Sequence, residues 1–66
     1  MTVTVNGARW EVTAGTTVAD VVARLDVPKR GVAVALDGAL VRQASWRTTA
    51  LREGSTIDVL TAVQGG

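Results

Sequence analysis

The chain has 66 residues, enough for one small domain, and 47% of them are hydrophobic, which suits a packed core and argues against disorder. The formal net charge is only +1 and the seven Lys and Arg residues are spread along the chain, so we expect no nucleic-acid partner. Cysteine and histidine are absent, which removes disulfides, the usual general base and the commonest metal ligands, so we expect neither an enzyme nor a metal site.

The first predicted element is a β-hairpin. Residues 2–5 alternate polar and apolar side chains, and residues 9–13 do so again. Asn6-Gly7 lies between them and is typical of a type I′ turn, which needs positive φ at both central residues. The hairpin presents one face to the core, formed by Val3, Val5, Trp10 and Val12.

A short helix is predicted next. Thr17 and Asp20 have the spacing of a capping box, in which each side chain accepts a hydrogen bond from the backbone of the other residue. The residues after Thr17 have one apolar stripe at helical spacing, formed by Val18, Val21, Val22 and Leu25. Pro28 restricts the backbone of Val27, and we expect the helix to end there.

Two strands joined by a second hairpin turn follow the helix. Residues 32–36 form an apolar run typical of a central strand, Asp37-Gly38 predicts a second type I′ turn, and residues 40–42 return as a short strand. Residues 43–49 have no clear period, and Trp46 among them is expected to close one end of the core.

The last strand is predicted at residues 56–63, after a turn at Glu53-Gly54. Its side chains alternate between two faces, with Ile57 and Val59 on one and Asp58, Leu60 and Ala62 on the other. The order of elements fits an α+β fold of the β-grasp type, in which a mixed sheet of four to five strands packs on one main helix and the first and last strands are adjacent. Another small α+β sandwich has the same order. We predict a domain at residues 1–63 and a flexible tail at residues 64–66.

The sequence ends in Gly65-Gly66, and this pair has two interpretations. One is an incidental frayed end. The other is chemical: a glycine carboxylate has no Cβ beside it, and glycine accepts either sign of φ, so such a tail can enter a narrow active site. No apolar run approaches the length of a membrane span and no signal peptide is visible, so we expect a cytoplasmic protein without a membrane partner.

The chain resembles the ubiquitin-like sulfur carriers of bacteria, most closely the ThiS family of thiamine biosynthesis. The resemblance covers the whole chain and depends on the segments Asn6-Gly7, 14–18, 34–38, Leu40-Val41 with Trp46, Glu53-Gly54 before Ile57, and Gly65-Gly66. It departs at Arg42-Gln43, where the family commonly has a proline followed by a basic residue.

The resemblance implies a carrier that is a substrate of other enzymes. An E1-like adenylyltransferase would activate the Gly66 carboxylate with ATP, which belongs to that partner, so the carrier needs no cofactor. A persulfide donor, charged by a cysteine desulfurase, would then supply sulfur to give a Gly66 thiocarboxylate. Thiazole synthase would take this sulfur into the thiazole ring.

Three alternatives remain open at this point. The carrier chemistry can serve molybdopterin synthesis or a cysteine or tRNA pathway, although the short chain favours thiamine. The chain can also be a β-grasp interaction module with an incidental Gly-Gly end, or a covalent protein modifier.

The expected partner surface lies on the outward face of the last strand, at Leu60 and Ala62, beside the tail residues Gln64 and Gly65. Arg42, Arg47 and Arg52 are candidates for a charged rim around it, which would chiefly set the rate and register of association.

Overall fold

A computed structural model describes residues 1–28 and 30–61. Its elements, in chain order, are β1 (Thr2–Val5), β2 (Ala8–Glu11), α1 (Val18–Leu25), β3 (Val32–Leu36), β4 (Ala39–Val41), a short 3₁₀ helix (Gln43–Ser45) and β5 (Thr56–Thr61). The strands form one mixed sheet in the order β2-β1-β5-β3-β4, and α1 packs against one of its faces. This is the predicted β-grasp arrangement, with β1 and β5 parallel and adjacent at the centre.

Both predicted hairpin turns are confirmed. Asn6 and Gly7 have φ of 50° and 82°, and Asp37 and Gly38 have φ of 50° and 86°. Positive φ at both central residues is the requirement of a type I′ turn, and Asn and Asp tolerate it better than other side chains. Each turn joins two antiparallel strands with a two-residue loop, which fixes the strand register.

The helix starts where the sequence predicts and ends earlier. Thr17 is the N-cap: the Asp20 backbone N–H donates to Thr17 Oγ1 (3.3 Å), and the Thr17 N–H donates to Asp20 Oδ2 (2.9 Å). The prediction that Val27 and Pro28 end the helix is wrong. The helix ends earlier, at Leu25, because Asp26 directly after it adopts a left-handed conformation (φ 56°). The Asp26 N–H closes the last turn on the Ala23 carbonyl oxygen.

Strand boundaries differ slightly from the predictions. β2 ends at Glu11, although Val12 still exchanges two backbone hydrogen bonds with Met1. β4 comprises Ala39–Val41, so Arg42 lies just outside it. The final residues of the predicted last strand, Ala62 and Val63, lie outside the described residues, as does the predicted tail at 64–66.

The core lies between the sheet and α1. Its buried residues come from three strands, the helix and the long loop before β5, and they are Val3, Val5, Val18, Val21, Val34, Trp46, Leu51, Ile57 and Val59. Trp10, Val12, Val22 and Leu25 pack against this core and are partly exposed, so the predicted core faces of the hairpin and of the helix are confirmed. Trp46 closes the core as predicted, and its indole N–H donates to the Val41 carbonyl oxygen at 2.9 Å.

Candidate functional site

The outer face of the sheet, opposite α1, has an apolar half and a polar half. The strand register places Ala33 beside Leu60, and Ala35 beside both Leu40 and Asp58. Leu60 and Leu40 are the two large apolar side chains that the described residues leave most exposed, at 68% and 73%. We call Ala33, Ala35, Leu40 and Leu60 the outer patch. Across β5 the outer face becomes polar, where β1 and β2 contribute Thr2, Thr4, Arg9 and Glu11.

The outer patch adjoins the last described residues of the chain. Leu60 is the penultimate residue of β5, and Thr61 is the last. A partner that covers Leu60 would therefore contact the chain directly before the segment that carries Gly65 and Gly66. Leu60 lies where the sequence predicts, while Ala62, Gln64, Gly65 and Gly66 fall outside the described residues, and their roles stay predictions.

The sequence reasoning missed Leu40 as a member of this surface. The Asp37-Gly38 turn pairs Leu36 with Ala39, so the next residue on β4 must pair with Ala35. That register puts Leu40 on the same face as Leu60, and the two-residue turn was a sufficient signal to find it.

The three predicted rim arginines lie in different places. Arg42 follows β4 with extended backbone (φ −67°, ψ 146°), which continues the alternation that places Leu40 outward. Arg47 lines a groove on the helix side of the sheet. Arg52 precedes the turn that leads into β5, where its N–H donates to Ser55 Oγ at 2.9 Å. The start of β5 is about 17 Å from its end, so Arg42 is the arginine placed to share a surface with Leu60.

The helix-side groove that includes Arg47 has a volume of about 440 Å³. Its lining includes Trp46, Val22 and Ala23 of α1, and Asp26, which directly follows the helix. Arg47 and Asp26 give the groove one charge of each sign, so its electrostatics favour neither an anion nor a cation.

Strand β5 is held on both sides by side chains of the two type I′ turns. Asn6 Oδ1 accepts a hydrogen bond from the Val59 N–H at 2.7 Å. Asp37 Oδ1 accepts one from the Thr56 N–H at 2.8 Å. The backbone N–H groups of Asn6 and Asp37 also donate to β5, at the carbonyl oxygens of Ile57 (2.9 Å) and Thr56 (2.8 Å) respectively. Sequence reasoning assigned these two residues to turns and did not find their bonds to β5.

Within residues 1–28 and 30–61, no three acidic, histidine or cysteine side chains gather into a group that could hold a metal ion. In the same part of the chain, no helix has the length and apolar character needed to cross a membrane. The features of the site that the described residues do show are the outer patch and the hydrogen bonds that hold β5.

A sequence model of the ThiS family matches residues 3–66. The chain belongs to the ThiS family. Among solved structures, this ThiS-family chain is similar to the crystal structure of a thiamine biosynthesis protein (ThiS) from Geobacter metallireducens, with 26% identity, a TM-score of 0.80 and full coverage of both chains. It is similar also to the solution structure of a thiamine biosynthesis protein from Geobacter metallireducens, with 26% identity and a TM-score of 0.80, covering all of this chain and 88% of that one. No curated protein sequence matches this ThiS-family chain.

Proposed function

We propose that this chain is a sulfur carrier of thiamine biosynthesis and that the Gly66 carboxylate is its reacting group. The observation that carries this proposal is the family match, which extends from residue 3 through Gly65 and Gly66. The two similar structures, both of thiamine biosynthesis proteins, support the same pathway. The outer patch lies beside the end of β5. Its position supports a mode of action in which partners bind the folded domain there while they act on the tail.

The proposed chemistry takes place at one carbon atom. The Gly66 carboxylate attacks the α-phosphorus of ATP in an E1-like adenylyltransferase, and pyrophosphate leaves. The resulting acyl adenylate is electrophilic, which an ionised carboxylate is not. The terminal sulfur of a persulfide, charged by a cysteine desulfurase or another donor, then forms a C–S bond as AMP leaves. A thiol reduces the remaining S–S bond and releases the thiocarboxylate, which thiazole synthase consumes.

In this proposal the chain is a substrate rather than an enzyme, and ATP is bound by the activating partner. Glycine suits the last two positions because a tail without Cβ atoms can pass through a narrow channel in any backbone conformation. The outer patch, with Leu60 and Leu40 as its large side chains, is the proposed contact for the adenylyltransferase. Residues in the core then affect sulfur transfer only through the stability of the body.

The test is the intact mass of the full-length chain after incubation with the adenylyltransferase, ATP and a persulfide donor. The mass is expected to rise by the difference between one sulfur and one oxygen atom. A variant that lacks Gly66 is expected to show no rise, with an unchanged thermal unfolding curve as the control. Gly65→Val is expected to slow the reaction, because a β-branched side chain restricts the tail.

Two outcomes would redirect the proposal. If the chain gains sulfur but does not support thiazole formation with thiazole synthase, its sulfur goes to molybdopterin or another pathway. If the variant without Gly66 still gains sulfur, the carrier chemistry is refuted and an interaction module becomes the better description.

A further inference from the structure

The pairing between β1 and β5 is short. It comprises Thr4 with Thr56 and Val5 with Ile57, after which β1 ends in the Asn6-Gly7 turn. β5 continues for four more residues, to Thr61. Over this stretch its β3 side is fully paired, up to Val32 with Thr61. On the side of β5 that faces β1, hydrogen-bond partners beyond Ile57 can come only from the Asn6-Gly7 turn among the residues that continue β1.

Asn6 supplies the missing strand partner. In a parallel pair, one residue donates its N–H to a carbonyl on the neighbouring strand and accepts from an N–H two residues further on. Asn6 does this with the Ile57 carbonyl oxygen and the Val59 N–H, except that its side-chain oxygen replaces its carbonyl. The side chain therefore extends the pairing of β5 by one residue beyond the end of β1.

The position tolerates few residue types. It needs positive φ, here 50°, for the type I′ turn, and it needs an acceptor oxygen two bonds from Cβ. Only Asn and Asp combine a short acceptor side chain with ready access to the left-handed conformation. Asp37 does the same on the other side of β5, but at Thr56, the first residue of the strand. The described residues thus include two similar bonds to β5, one at its first residue, Thr56, and one at its fourth, Val59.

We propose that Asn6 is a positioning residue for sulfur transfer: its bond to Val59 fixes the direction in which β5 delivers the tail to the activating enzyme. This inference rests on the proposed function. Without the bond, the Val59 N–H loses its partner, and β5 beyond Ile57 is held by its pairing with β3 and by the packing of the Val59 side chain in the core. We then expect the end of the strand to sample several directions. Only a fraction of free carriers then has the direction that the enzyme accepts, and this raises KM without changing kcat for the bound carrier.

The experiment compares three variants of the full-length chain. Asn6→Gly and Asp37→Gly each keep positive φ and remove one acceptor, while Asn6→Asp keeps both features. ATP–pyrophosphate exchange is measured with the E1-like adenylyltransferase of the thiamine pathway. Asn6→Gly is expected to raise KM for the carrier about fivefold, the factor that one neutral hydrogen bond is worth, with kcat unchanged. Asn6→Asp is expected to restore KM, and Asp37→Gly to leave it unchanged at temperatures where all variants are folded.

Amide hydrogen exchange provides a second measurement without the enzyme. In Asn6→Gly, the exchange rate at the Leu60 amide is expected to rise more than the rate at Val34, in the middle of β3. In Asp37→Gly the two amides should keep their ratio. If the bond only stabilised the whole domain, its loss in either variant would raise the exchange rates of both amides by the same factor.

Equal KM for Asn6→Gly and Asp37→Gly, or failure of Asn6→Asp to rescue, would overturn the inference. Wild-type carrier that gives no exchange of pyrophosphate would instead contradict the proposed function. In that case an unchanged ratio of the Leu60 and Val34 exchange rates would still refute the positioning of β5 by Asn6.

Discussion

Replacement of Trp46 by Phe tests how the loop before β5 stabilises the domain. The loop contributes either through the hydrogen bond of the Trp46 indole or only through the apolar volume that the side chain fills. Trp46 is 7% exposed, and its indole N–H donates to the Val41 carbonyl oxygen at 2.9 Å. Its own carbonyl oxygen accepts from the Ala19 N–H in the first turn of α1 (3.0 Å). The residue thus connects β4, the loop and the helix, and the Phe variant removes only the donor and part of the ring.

The expected cost has two parts. The lost hydrogen bond costs about 1 kcal/mol, and up to about 3 kcal/mol if the Val41 carbonyl stays without a partner. The smaller ring adds a cavity, for which complete truncation of a Trp to Ala costs about 3–5 kcal/mol. We therefore expect Trp46→Phe to lower the free energy of unfolding by about 2–4 kcal/mol. A domain of this size has only about 3–10 kcal/mol in total, so the loss is large.

Trp10→Phe is the matched control. Trp10 is half-buried, and the Arg24 guanidinium lies 5.0 Å from the centroid of its ring, a contact that Phe keeps in weaker form. Urea unfolding of both variants, followed by far-UV circular dichroism and by fluorescence of the remaining Trp, gives the two free energies. If Trp46→Phe costs no more than Trp10→Phe at equal slope m, the bond to Val41 contributes nothing and the reasoning is refuted.

Two further predictions concern the partner surface and the helix. Leu60→Asp and Leu40→Asp are each expected to weaken binding to the adenylyltransferase in a titration while leaving the unfolding midpoint nearly unchanged, since both side chains are exposed; unchanged binding for both would exclude the outer patch. Thr17→Ala is expected to lower the free energy of unfolding, measured in urea, by about 1 kcal/mol. Asp20→Ala should lower it less in the Thr17→Ala background than in the wild-type chain, because the two residues cap each other. Fully additive losses would show that the capping box does not act as a unit.

The sequence alone predicts those features whose physical requirements are local. The Asn6-Gly7 and Asp37-Gly38 turns are fixed by the need for positive φ at neighbouring residues, and the start of α1 is fixed by Thr17 with Asp20. Alternation over residues 2–5 then places Val3 and Val5 in the core. These signals involve residues close in the chain, so no tertiary contact is needed to interpret them.

Features that depend on the register of distant segments required the structure. The end of α1 is decided by Asp26, whose left-handed conformation ends the helix directly after Leu25. The separate positions of Arg47 and Arg52 depend on the path of a loop without periodicity, which bonds to the chain around the start of α1. The bond from Asn6 to Val59 joins residues 53 positions apart. A side chain in a turn carries the same local signal whether or not a strand passes within 3 Å of it, and only the packed sheet decides that β5 does.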